Sequence, residues 1–186
     1  RKTSLTTGLI LSMSGIMVLE NLRNTALWAA DALKGRKLRR HYDEITVLLE
    51  STDERTVNAK IKRSLDNLLE HSVITVPFYS SYKGSKLEAY PVVNKSVIRA
   101  SSDSFLSSSY DGAELYQAIT SGSTGTPFKI YQDRNKKLRN YADTLFFAGL
   151  AGYRTGHRLV YLKIWVKEKM RSSLSYRLQN IIPVDV

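Results

Sequence analysis

Apolar positions fall into helical runs early in this chain and into extended runs later. From Thr3 to Leu19 no residue is charged, and Leu5, Leu9, Ile10, Met13, Ile16, Met17 and Leu19 follow a helical stripe. The run is shorter than the ~20 residues that cross a bilayer, and Ser, Thr and Gly interrupt it. A buried or interfacial helix is the favoured expectation, with membrane contact as the alternative. Leu22, Ala26, Ala29, Ala30 and Leu33 continue the pattern to Gly35, which is placed like a helix stop. Ile45, Leu48 and Leu49 suggest a helical turn or two. Ser51 or Thr52, followed by Asp53-Glu54, has the form of a helix N-terminus. Val57, Ile61, Leu65, Leu68 and Leu69 then give the clearest amphipathic helix, which Pro77 closes. Leu87 to Val93 reads as extended, Asn94 or Ser96 as the cap of a short helix through Ala100, and 101–112 as a serine-rich loop. Two strands, Leu115–Ile119 and Phe128–Tyr131, flank a loop. Asp133 caps a helix whose face runs through Leu138, Tyr141, Ala142, Leu145 and Phe146 to Gly152. Leu159 to Val166 reads as a buried strand, Lys167 to Asn180 as a helix, and Ile181 opens another extended run. The order predicts an α/β fold, with a mainly helical lead-in over 1–75 and an α/β part over 76–186. There is no internal repeat and no convincing interdomain linker.

Composition narrows the class. Of the 186 residues 42% are hydrophobic and 24% charged, which describes a globular chain rather than a disordered one. There is no cysteine, so disulfides and thiolate catalysis are excluded and a reducing, cytoplasmic setting is favoured. The formal net charge of +11 suits nucleic acid, an anionic membrane surface or phosphorylated ligands. The densest basic run, Lys34 to His41, fits a solvated helix start better than a lipid or phosphate contact. His41, His71 and His157 show no metal-ligand spacing. Phe78, Tyr79 and Tyr82 fit core packing better than base stacking. The chain opens on Arg1 rather than Met, which suggests an excised or processed piece.

The loop between the two central strands holds the densest chemistry. Thr120, Ser121, Ser123 and Thr124 supply hydroxyl donors, and Gly122 and Gly125 let a ligand approach the backbone. Successive N–H groups in such a turn can form an anion nest, and Lys129 adds a positive charge beyond Pro127. Each hydrogen bond to a charged oxygen contributes roughly 1.5–3 kcal/mol, so several could hold a phosphate chain. Ser/Thr/Gly clusters are nevertheless most often solvated turns. A Walker loop is excluded, because Thr126-Pro127 stands where that pattern needs Lys-Ser/Thr.

The segment TSGSTGTP at 120–127 resembles the phosphate-binding signature of the adenylate-forming (acyl-CoA synthetase) superfamily. Val76-Pro77-Phe78-Tyr79 resembles the VPYY element of its phenylacetate–CoA ligase/CapK branch, which includes proteins of capsular polysaccharide biosynthesis. Tyr90-Pro91-Val92-Val93-Asn94-Lys95 resembles that branch's LPxxxK element, and Phe128-Lys129-Ile130-Tyr131 resembles the strand after the loop. The likeness covers about residues 36–186. It implies part of a large mixed-sheet N-terminal domain, a carboxylic acid substrate, ATP with Mg²⁺, and CoA as acceptor in some members. By the same resemblance Thr120, Ser121, Gly122, Ser123, Thr124, Gly125 and Thr126 form the ATP phosphate site, with Lys129 beside it. The common pattern has Lys directly after Pro, where this chain has Phe128. The family's Gly-Asp is Gly156-His157 here, which makes His157 a weak functional candidate. Its adenine-binding, ribose-binding and C-terminal lysine elements are not found before Val186. The expectation is therefore an N-terminal portion that is inactive alone, and whose truncated sheet would favour self-association.

Two other classes compete. One is a non-enzymatic basic module for nucleic acid or anionic membrane, supported by the net charge and the 34–41 run. The other is a scaffold in capsule assembly. Nucleic acid is the least favoured partner.

Overall fold

The computed structural model describes residues 3–110, 114–120, 127–162 and 172–185, with residues 3–14 described as backbone only. Among the described residues the fold is mixed α/β, mostly helical with two small sheets. It divides into two compact units, 1–45 with 139–186, and 46–138.

The first unit begins with helix α1 (Thr3–Leu33). The chain reverses where Gly35 and Arg36 take positive φ, 86° and 56°. Helix α2 (Lys37–Glu50) follows at once. Asp31, only 9% exposed, holds this corner: its carboxylate accepts the N–H groups of Leu38 and Arg39, both at 2.9 Å. Those donors have no partner within their own helix, so Asp31 acts as a cap supplied from the preceding helix. The basic run lies on this corner and is partly engaged. Arg39 pairs with Asp43 at 2.7 Å and lies over Trp28, and the Arg40 guanidinium donates to the Gly35 carbonyl.

Helix α5 (Arg134–Leu150) gives this unit its second buried face. Ala142 and Phe146 are buried with Leu38 and Ile45 of α2, and the Tyr42 ring contacts both Trp28 and Phe146 edge-on. Arg139 bridges to Glu44 at 2.8 Å and to Asp143 at 3.2 Å. Gly152 ends α5 with φ +82°, and Tyr153 N–H returns to the Ala148 carbonyl. Strands β3 (Leu159–Leu162) and β4 (Ile181–Val184) pair in parallel, Leu159 opposite Ile181 and Leu162 opposite Val184. Parallel pairing needs a crossover, and helix α6 (Ser173–Leu178) lies in it.

The second unit holds helix α3 (Glu54–Thr75), which Asp53 caps by accepting the N–H groups of Arg55 and Thr56. Hydrogen bonding from the Thr56 hydroxyl, then from its backbone, lowers the Asp53 pKa. Pro77 ends the α-helix, as its missing N–H predicts, and a 3-10 segment runs Pro77–Tyr82. The aromatic residues here pack together, as expected: Phe78 stacks on Phe105 at 4.0 Å and Tyr82 on Tyr90 at 5.1 Å. Helix α4 (Lys95–Ala100) is capped by Asn94, whose side-chain oxygen accepts from Ser96 and Val97. Strands β1 (Tyr116–Thr120) and β2 (Phe128–Gln132) form an antiparallel hairpin.

Two sequence expectations are corrected. Leu87–Val93 is not extended throughout: Leu87–Ala89 is a 3-10 turn closed by Tyr90 N–H on the Leu87 carbonyl. Pro91 cannot donate to a ladder, and among the described residues no strand lies beside it. The strand at 159–162 is not buried, since Val160 is 53% and Leu162 62% exposed. Its apolar run has the composition of a central parallel strand, but the described sheet offers a single neighbour. The last helix is described only over Ser173–Leu178, and 163–171 lie outside the described residues.

Candidate functional site

The hairpin of the second unit places the loop ends. Its register runs from Tyr116↔Gln132 at the base to Thr120↔Phe128 at the open end. The base is tied by Tyr110, whose hydroxyl donates to an Asp133 carboxylate oxygen at 3.0 Å. That bond, with some burial, raises the Tyr110 pKa. Asp133 also accepts the Lys136 N–H at 2.6 Å and so caps α5, as expected. One carboxylate thus fixes both the exit of the hairpin and the start of the next helix.

Side chains alternate across a strand, so Thr120, Phe128, Ala118 and Ile130 leave one face of the hairpin, and Ile119 and Lys129 the other. Phe128 is 9% exposed and is the one buried residue among those described in its unit. Lys95 and Arg99 of α4 lie over its ring, Nζ 5.8 Å and Cζ 5.7 Å from the centroid. At the base Lys137 lies 3.6 Å from the centre of the Tyr116 ring.

Of the expected site residues, Thr120 ends β1 at the mouth, on the face of Phe128. Lys129 is on β2 one residue beyond it, paired with Ile119 and on the opposite face. Ser121, Gly122, Ser123, Thr124, Gly125 and Thr126 lie outside the described residues. Sequence reasoning missed Lys95 and Arg99 as neighbours of the Phe128 ring. Their i, i+4 spacing behind an Asn cap was the available signal, and it said only that they share a helix face.

His157 belongs to the first unit and has a structural place there. Its Nδ1 accepts the Arg154 N–H at 3.3 Å, which puts the proton on Nε2, 4.0 Å from a Glu20 carboxylate oxygen. Next to it Gly156, with φ +103°, lies against the backbone of α1. A Cβ there would overlap the Glu20 carbonyl oxygen and lie 3.1 Å from the Arg23 Cβ. The Gly156 carbonyl accepts from Asn180 at 2.9 Å.

The same unit contains an apolar cavity of about 1330 Å³, walled by α1, α5, α6, β3 and β4 through residues such as Leu22, Leu145, Leu159 and Ile181. Arg23 at its edge is committed, its Nε donating to the Leu178 carbonyl at 2.9 Å. Among the described residues no group of three His, Cys, Asp or Glu side chains is placed to hold a metal ion. No helix among them is long and apolar enough to cross a membrane. The first helix is nonetheless long, and Ile16, Met17, Val18 and Leu19 are about half exposed on it. Comparison with protein-family models, with curated proteins and with solved structures finds no match to this chain.

Proposed function

We propose that this chain carries the nucleotide-phosphate-binding part of an adenylate-forming ligase similar to the phenylacetate–CoA ligase/CapK branch, and so belongs to a large mixed-sheet N-terminal domain. The reaction in that family converts a carboxylate and ATP to an acyl-adenylate and pyrophosphate, with CoA or an amine as a later acceptor. The observation that supports the reading is the hairpin. Two antiparallel strands, in register up to Thr120↔Phe128, bracket the Ser/Thr/Gly loop, and no helix follows the loop directly. That context differs from a Rossmann or Walker turn, where the phosphate sits at a helix N-terminus. A polyphosphate fits this mouth chemically: Thr120 carries a hydroxyl, and the cation Lys95 lies over the ring of Phe128, which shares its face. Such groups act by positioning, and by stabilising the charge that builds on departing pyrophosphate. The described residues offer no cage for Mg²⁺. In this reading the ion arrives with the phosphates, as Mg²⁺ commonly does.

The test is calorimetric titration of the chain with ATP, pyrophosphate and AMP, beside a Gly122→Ala, Ser123→Ala variant. ATP and pyrophosphate are expected to bind, AMP far more weakly, and the variant to lose both. Carboxylate-dependent ATP–pyrophosphate exchange, run on the protein that carries this chain with aryl, fatty and sugar acids, then identifies the substrate class. Polyphosphate binding that ignores the loop variant, or none at all, would defeat the proposal.

A further inference from the structure

One stretch of α1 is apolar on every side and stands open to solvent. Ile16, Met17, Val18 and Leu19 are consecutive, so at 3.6 residues per turn they point in four directions, and each is about half exposed. The sequence carries no charge over 3–19. A helix that is apolar all round belongs in a core or against lipid. Leu19 and Leu22 carry this surface into the cavity of the first unit, which Leu174 and Leu178 of α6 also line; all four are more than half exposed. Exposed apolar surface of this extent, rimmed by polar groups, marks a docking face. The rim is basic. Arg23 and Arg177 are the charged residues of the cavity lining, and neither enters an ion pair among the described residues. The Arg23 Nε donates to the carbonyl of Leu178, the residue after Arg177, so the two arginines share one stretch of the rim. A neutral carbonyl fixes a guanidinium without cancelling its charge. Glu20, the acid of this stretch of α1, lies 4.0 Å from His157 Nε2.

We infer that this face, residues 16–23 of α1 together with α6, docks on an anionic lipid bilayer. Ile16, Met17 and Val18 lie outside the cavity lining, so a small molecule seated in the cavity would leave them in water, whereas a bilayer surface covers both. A second copy of the same face would bring arginine against arginine with no acid in the lining to pair them, and the net charge of +11 adds to the repulsion. Phospholipid headgroups supply the missing anions at the depth where the leucines enter: arginine stems lie along apolar surface and their heads reach the phosphates. No helix among the described residues is long and apolar enough to cross a membrane, and the docking is that of a helix lying in the interface. It needs no nucleotide site, since α1 and α6 belong to the first unit and the hairpin to the second.

The experiment is co-sedimentation of the full chain with vesicles of phosphatidylcholine alone, and of phosphatidylcholine mixed equally with phosphatidylglycerol. Wild type is expected to bind the mixed vesicles and to bind the neutral ones far less. Met17→Ser and Leu174→Ser are each expected to weaken binding roughly tenfold. Arg177→Ala is expected to weaken it about fivefold. Two controls carry like changes elsewhere: Leu33→Ser at the other end of α1, and Lys83→Ala, an exposed cation of the second unit. Each control is expected to change binding less than about twofold. Circular dichroism of every variant checks that these exposed substitutions leave the fold in place, and sedimentation without vesicles reports whether copies associate. If Met17→Ser and Leu174→Ser bind the mixed vesicles as well as wild type does, net charge alone is at work and the docking face is refuted. Equal binding to both kinds of vesicle, unchanged by Arg177→Ala, refutes the anionic partner. If wild type associates without vesicles and Leu174→Ser abolishes that association, the face belongs to a second copy and the proposal falls. Absence of binding to either kind of vesicle overturns it as well.

Discussion

Gly156→Ala isolates a backbone contact that the first unit depends on. At φ +103° an alanine is strained whatever its surroundings, which costs about 1 kcal/mol. Its Cβ must also displace the Glu20 carbonyl, a backbone group of α1 that cannot rotate away as a side chain would. Overpacking of this kind costs a further 1–3 kcal/mol or so. The sum is about 2–4 kcal/mol, which for a chain of this length lowers the melting temperature by roughly 5–15 °C. Gly152→Ala is the matched control, since Gly152 has φ +82° and nothing within 4 Å of the added carbon. It carries the conformational term alone, about 1 kcal/mol or a few degrees. Thermal melts followed by circular dichroism measure both. Equal losses in the two variants would refute the contact between this turn and α1.

Three further outcomes follow from groups already placed. Asp31→Ala leaves two N–H donors of α2 without their acceptor and is expected to cost about 2–4 kcal/mol in urea denaturation, with Asp31→Asn costing less; a neutral Asp31→Ala would refute the cap. The lowered Asp53 pKa means its contribution is present above the ordinary aspartate value and is lost as pH falls through the folded-state value. Far-ultraviolet helicity should show an acid step there that Asp53→Ala removes. The raised Tyr110 pKa has the opposite sense, its contribution being present below the ordinary tyrosine value and lost as pH rises through the folded one. Tyr79 and Tyr153 are raised as well by burial, so phenolate absorbance should show late-titrating tyrosines from which Tyr110→Phe removes one.

What could be read from the sequence was local. Asn94 and Asp133 each act on N–H groups two or three residues ahead, so a short window contains cap and capped group together, whereas the cap of α3 is Asp53 and not Ser51 or Thr52. The hairpin strands were legible for the same reason, being close in sequence and flanking a turn-rich loop. Asp31 was not, because it lies inside a helical pattern and finds its donors only after the chain reverses at Gly35 and Arg36. The exposure of β3 was misjudged because four apolar residues describe a strand's preference and not its neighbours. At the candidate site, strand alternation alone separates Lys129 from the face of Phe128. The meeting of Lys95 and Arg99 with that ring joins residues about thirty positions apart, which no local pattern encodes.

The exposed parallel pair gives the molecule two responses to salt of opposite sign. Val160, Leu162 and Ile182 lie exposed on this short pair of strands and offer apolar surface to a neighbouring chain. At low ionic strength a net charge of +11 keeps copies apart over a screening length of about 10 Å at 0.1 M. Raising the salt shortens that range and strengthens apolar association, so copies should gather along these strands. The same salt weakens any polyphosphate held by the proposed loop. The proposed phosphate binding and self-association should therefore respond to ionic strength in opposite senses, and sedimentation measured beside calorimetry should show one falling as the other rises.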